Sequence, residues 1–152
     1  MAFNLADAVK KKVSEIERPP LPPQGTYHWK ITKLPEITTS QNELWDFLTI
    51  PCKVVAPMED VDLEDYKGDP RNIINRVQFI FDKNDEAKFE QTLYNVKRFF
   101  LEHCRVGDDA MSLGQLMNAA VGAEFLAPIG WTPDKQDQTL FHANIGKTAP
   151  LD

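Results

Sequence analysis

The sequence predicts a mainly β domain with helical additions (β/α+β). It has five strands, two helices between the third and fourth strands, and a helical arm in front. Three observations predict this. Apolar residues alternate with polar ones in "GTYHWKITK", "LWDFLTIPCKVV" and "RNIINRVQFIFD", the period of a half-buried strand. The period then lengthens to that of an amphipathic helix in "NDEAKFEQTLYNVKRFFLEHCRV" and again after "SLGQ". Two further strand-like runs, "AEFLAPIGW" and "QTLFHANIG", follow with turn residues between them.

The elements can be justified in order. Residues 3–17 carry Phe3, Ala6, Val9, Val13 and Ile16 at near-helical spacing, with Lys10, Lys11 and Lys12 mostly on other faces. They form the helical arm, assigned to residues 1–18. "RPPLPPQG" stops the helix and makes residues 19–24 a stiff, extended linker. A proline-tethered helix can dock on its own domain, a sister protomer or another protein, so residues 1–22 are a candidate route to a homo-oligomer or a protein partner. An SH3-like groove is a further ligand class for the prolines.

The main domain is assigned to residues 25–152. Its first strand is 25–33 and its second 44–55, with Pro51 marking an edge or a bulge. The intervening "PEITTSQN" has turn chemistry, which makes the two an antiparallel pair. The acidic "MEDVDLEDYKGD" reads as a loop, and 71–82 is the third strand. Asn84 or Asp85 caps the first helix and Gly107 follows its end. Ser112 with Gln115 is a capping box for the second helix, and Gly122 ends it. Strands 123–131 and 138–146 flank the turn "TPDKQD", with Trp131 at the hairpin tip.

Composition narrows the class. At 152 residues, 42% of them hydrophobic and 26% charged, the chain fits one globular domain. No apolar run reaches the length of a membrane span, and the N-terminus lacks the long apolar core of a signal peptide, so a cytoplasmic setting without membrane contact is expected. Cys52 and Cys104, far apart, suit two buried thiols in a reducing compartment. A net charge of −6 argues against a dedicated duplex-DNA binder. A single-strand binder remains open, because such proteins confine positive charge to one groove and rely on stacking.

Catalytic signatures do not emerge. His28, His103 and His142 are scattered, and no metalloprotease, nucleophile-elbow or phosphate-loop motif occurs. His103 and Cys104 are neighbours, but adjacent helical residues point in different directions. Asp60, Asp62, Glu64 and Asp65 lack the glycine and glutamate positions of a calcium loop. The expectation is no enzyme activity, no cofactor and no metal.

Five strands with helical matter between the third and fourth is the chain order of an OB-fold, a partly open barrel that binds oligonucleotides or oligosaccharides across its second and third strands. A sheet with both helices on one face is the α+β alternative. The sequence also resembles the phage single-stranded DNA-binding proteins of replication and recombination cassettes. The likeness rests on Pro23, Gly25 and Tyr27 opening the first strand, on Gly122, Phe125 and Ala127 in "VGAEFLAPIGW", and on the order of elements over roughly residues 20–150. It implies an OB-fold-like barrel and a non-catalytic protein that coats single-stranded DNA. The chain ends "TAPLD" where many such proteins carry a long acidic tail, so tail-mediated recruitment of partners does not carry over.

Strand parity proposes the binding face. Val77, Phe79 and Phe81 inward put Arg76 and Gln78 outward. On the first strand, Tyr27, Trp29 and Ile31 inward expose His28 and Lys30. On the second, Leu48, Ile50, Cys52 and Val54 inward expose Trp45, Phe47 and Lys53. With Arg71 nearby and Trp131 reaching over from the hairpin, these residues offer cations for phosphates and rings for bases. Two alternatives stand beside this: Trp45 and Phe47 beneath a helix, and Trp131 packed on the barrel. A structural or virion-associated protein that assembles through its arm is the competing function.

Overall fold

The computed structural model describes residues 4–16, 18 and 20–151. Six strands, β1 (Gly25–Ile31), β2 (Glu36–Thr39), β3 (Trp45–Pro57), β4 (Ile74–Asp82), β5 (Glu124–Pro133) and β6 (Phe141–Ile145), form one antiparallel sheet. The order is β2-β3-β1-β5-β6, with β4 on the other edge of β3. The helices are α1 (Leu5–Ala8), α2 (Glu86–Arg98) and α3 (Leu113–Ala119).

The sixth strand corrects the expected five. Residues 36–39 lie within the stretch expected to be a turn, but Ile37, Thr38 and Thr39 favour extended backbone and pair with Leu48, Phe47 and Asp46. β1 and β2 lie end to end along one edge of β3. β1 pairs with residues 52–57 and β2 with 46–49. The break between them falls opposite Pro51. The Pro51 carbonyl accepts the Thr32 N–H at 3.0 Å, so the same edge is where its missing N–H leaves the ladder without a donor. A second irregularity, between His28 and Trp29, is the bulge that bends this long strand.

The sheet curls but is not closed into a barrel, so closure is the part of the expected barrel that is absent among the described residues. β4 and β6 end the sheet on its two sides, and among the described residues no ladder joins them. Asn75 bridges them with its side chain, donating to the Ala143 carbonyl at 3.0 Å.

The concave face is the core. Tyr27, Trp29 and Ile31 on β1, Leu48, Ile50 and Cys52 on β3, and Phe125, Ala127 and Ile129 on β5 are all buried there. The Trp29 indole N–H donates to the Ala127 carbonyl at 3.0 Å, so the buried ring leaves no unmet donor. α2 starts at Asp85, whose carboxylate accepts the Lys88 N–H. It continues through a π-helical turn, Phe99–His103, that drives Phe99 and Phe100 inward against Phe125 and the sheet. Ser112 and Gln115 close a complete capping box on α3. Gly107 (φ 67°) and Gly122 (φ 90°) adopt the left-handed backbone expected after helix ends.

The N-terminal helix is shorter than its spacing suggests. It ends at Ala8, a 3₁₀ turn covers Val13–Glu15, and Leu5, Val9, Val13 and Ile16 are all exposed. An apolar stripe left this exposed gives a short helix little to offset its nucleation cost. Phe3 and Pro19, counted in the arm and linker, lie outside the described residues. Among the described residues no helix is long and apolar enough to cross a membrane.

Candidate nucleic-acid interface

On the convex face of β1, β3 and β4, opposite the core, cross-strand register fixes the rows. Lys30 lies opposite Lys53, and Lys53 opposite Ile74. Pro51 faces Arg76, Thr49 faces Gln78, Phe47 faces Ile80, and Trp45 faces Asp82. Counting β3 from Trp45 to Lys53, the strip is about 27 Å long. Lys30, Lys53, Arg76 and Gln78 are exposed, Phe47 is half-buried, and Trp45 retains 38% of its surface. Ile74 and Ile80 are exposed beside them.

Six of the residues chosen from the sequence, Lys30, Trp45, Phe47, Lys53, Arg76 and Gln78, therefore share one open face. The Gln78 amide donates to Thr49 Oγ1 at 3.1 Å, which fixes its side chain along that face. Trp45 is exposed, whereas the half-buried Phe47 also borders an apolar cleft lined by Phe89 and Leu93 of α2 and Leu113 and Met117 of α3.

The other three lie apart from the strip's centre. His28 is on the same parity but half-buried, its Nε2 2.7 Å from Glu124 Oε1 with the ring N–H poorly aligned for a hydrogen bond. Arg71 sits on the 3₁₀ turn Pro70–Asn72, gripping Asp69 through Nε at 3.2 Å and an η nitrogen at 3.0 Å. The Arg71 hydrogen bonds hold the Asp69 carboxyl below its usual range, and Lys53 adds a weaker pull in the same direction. Arg71 thus borders the Lys53 end of the strip with its charge already engaged.

Trp131 is a correction of position. It lies within β5, since Thr132 and Pro133 extend that strand and the loop spans residues 134–140. Its parity is that of Phe125, Ala127 and Ile129, so it belongs to the face opposite Lys30. Its indole N–H donates to the Pro22 carbonyl at 2.8 Å, and its backbone N–H to Gln24 at 3.4 Å. The proline segment is fastened further by the Tyr27 hydroxyl, which donates to the Pro23 carbonyl at 2.6 Å, and by Arg18, which donates to the Phe141 carbonyl at 2.7 Å. Burial raises the Tyr27 hydroxyl to about 12, so it stays protonated as that donor.

Sequence reasoning missed the rim beyond Arg76. A cleft of about 590 Å³ runs from Arg76 to Lys135, His142 and Asn144 on the β5–β6 hairpin. His142 Nε2 lies 2.8 Å from Asp134 Oδ2. That contact, with the Gln136 and Asp137 N–H groups, holds the Asp134 carboxyl at about 2. Only the adjacency of β4 and β6 brings Arg76 to this hairpin, and no local pattern encodes it.

Reactive groups are few. Burial raises both cysteine thiols, Cys52 to about 12, which makes them inert. Among the described residues no cluster of His, Cys, Asp or Glu could hold a metal ion. In the acidic loop, Asp60 is a structural clamp. Its two oxygens accept from the Thr26 N–H and hydroxyl, each at 2.9 Å, and these bonds lower its pKa. Comparison with protein-family models gives no match, and comparison with curated proteins gives none either.

Proposed function

We propose that this chain is a non-catalytic single-stranded DNA-binding protein that carries the strand across the convex face of β1, β3 and β4. The resemblance in strand and glycine pattern supports a phage-encoded protein that protects single strands in replication or recombination in the host cytoplasm. The fold reading that goes with it is an OB-fold-like barrel left open at one seam. β1 and β2 act as halves of its first strand, and the neighbour order β4-β3-β1-β5-β6 returns β6 beside β4.

One observation carries the reading: strand register puts Trp45 and Phe47 on one sheet face with Lys30, Lys53, Arg76 and Gln78, and of the two rings Trp45 is exposed. Rings accept bases without regard to sequence, and the cations track phosphates. Lys30 directly opposite Lys53 supports it further, because a like-charged cross-strand pair costs stability unless an anion sits between the two. Titration with oligo-dT is the test. Tryptophan fluorescence is expected to quench, and log affinity to fall with log salt at a slope of about −2 for three phosphate contacts. No quenching and no binding at low salt would remove the proposal.

A second reading, assembly through the arm, is favoured by the exposure of Leu5, Val9, Val13 and Ile16. Removing residues 1–16 and measuring mass in solution tests it. Loss of an oligomer with oligo-dT affinity intact supports assembly, and an unchanged mass excludes it.

A further inference from the structure

The free edges of β4 and β6 are tied at one end, where Asn75 reaches the Ala143 carbonyl at 3.0 Å. Beyond that tie the seam opens into a cleft of about 350 Å³ between residues 77–79 and 145–148, with the end of α2 beneath it. Gln78, Arg98, His103, Lys147 and Thr148 line it, over the buried ring of Phe99.

Its chemistry is that of an anion site. Arg98 is ion-paired with Glu102 through Nε at 2.8 Å, and its two η nitrogens make no further hydrogen bond among the described residues. The same holds for the Lys147 ammonium. His103 is oriented by a 2.7 Å contact between Nδ1 and Thr148 Oγ1, which leaves Nε2 as the ring's remaining polar atom. Three groups able to carry positive charge meet here against one carboxylate, Glu102 beside Arg98, in a chain whose net charge is −6.

We propose that this seam cleft is a phosphate site that takes a phosphodiester of the bound strand, with Arg98 and Lys147 as its ligands and His103 as a proton-linked third donor. The proposal rests on the convex face being the nucleic-acid interface. Gln78 connects the two. It lies on that face, bonded to Thr49, and also borders the cleft that Arg98 and Lys147 line, so the cleft adjoins the Thr49–Gln78 row.

His103 adds a signature. Burial, Arg98 and Lys147 lower its pKa, while Glu102 pulls it upward, and Gln78 and Thr148, the polar groups from β4 and the C-terminal segment, are uncharged. A phosphate among these groups offsets the two cations and favours the protonated ring. Binding therefore takes up a proton and tightens as pH falls through the His103 pKa.

The test compares the full chain with the double substitution Arg98→Ala and Lys147→Ala, both at exposed positions. Oligo-dT anisotropy is expected to show affinity about tenfold lower at low salt and a salt slope shallower by about 1.4. Arg98→Lys with Lys147→Arg is expected to restore most of that slope. Independently, inorganic phosphate titrated into the wild-type chain should raise the His103 pKa followed by NMR, and the double variant should lose this response. Oligo-dT binding with an unchanged slope and an unmoved His103 overturns the site and leaves the convex-face reading intact. A phosphate response in a chain that binds no oligonucleotide supports the anion site with free phosphate as its source, and overturns the convex-face reading instead.

Discussion

Trp45 and Trp131 are exposed to nearly the same degree, 38% and 40%, yet they belong to different kinds of surface. Around Trp131 the chain satisfies itself. The indole N–H is bonded to Pro22, Gln24 and Tyr27 hold the same segment, and Arg18 closes over Phe141. Around Trp45 the backbone is bonded to Ser40, its N–H donating to Ser40 Oγ at 3.2 Å and its carbonyl accepting the Ser40 N–H at 2.9 Å. The indole N–H makes no hydrogen bond among the described residues; Asp82 lies opposite Trp45, and Phe47 and Ile80 follow along the strip. Exposure alone does not mark a stacking platform; what matters is whether the chain already uses the ring's polar edge.

The widest separation between the two regions should appear on truncation. Trp45→Ala is expected to weaken oligo-dT binding by about 1–3 kcal/mol, the value of one stacked base, and to abolish most of the fluorescence quench. An unchanged affinity would dismantle the assignment of the stacking face. Trp131→Ala should do the converse. Thermal or denaturant unfolding is expected to report a loss of about 1–2 kcal/mol from the broken indole bond and lost packing, with oligo-dT affinity unmoved. Equal losses of affinity in both variants would erase the distinction. The smallest effect sharpens it. Lys53→Gln relieves the repulsion with Lys30, so stability is expected to rise by a few tenths of a kcal/mol while the salt slope becomes shallower by about 0.7. A variant that loses stability instead would mean the two lysines are not in repulsive register.

The convex face was legible because it depends on parity. Once Phe81 and Ile31 point inward, the two-residue period fixes Arg76 and Lys30 outward, and no long-range information is needed. Helix starts were legible for a similar reason, since Asp85 and Ser112 act within three residues of themselves. β2 was hidden because all four of its residues are exposed, so it carries no alternation to detect. Trp131 was misplaced because Thr132 and Pro133 read as turn formers although they extend β5 beside β6. The seam between β4 and β6, with Arg98, His103 and Lys147 around it, arises from contacts between distant segments, 68 residues apart for Asn75 and Ala143 and 45 for His103 and Thr148. Local pattern has no access to such contacts.

Pro51 has a consequence for how the sheet breathes. By interrupting the ladder between β1 and β2, it divides β3 into two halves with separate partners along that edge. The half paired with β1 is sealed by the core, whereas the half paired with β2 carries Trp45 and Phe47 and is flanked by a strand with no buried residue. Amide exchange should therefore proceed through at least two openings of unequal cost, the cheaper one confined to residues 36–49. A ligand held on Trp45 and Phe47 would slow exchange there first, while the amides of β1 would keep the time of global unfolding.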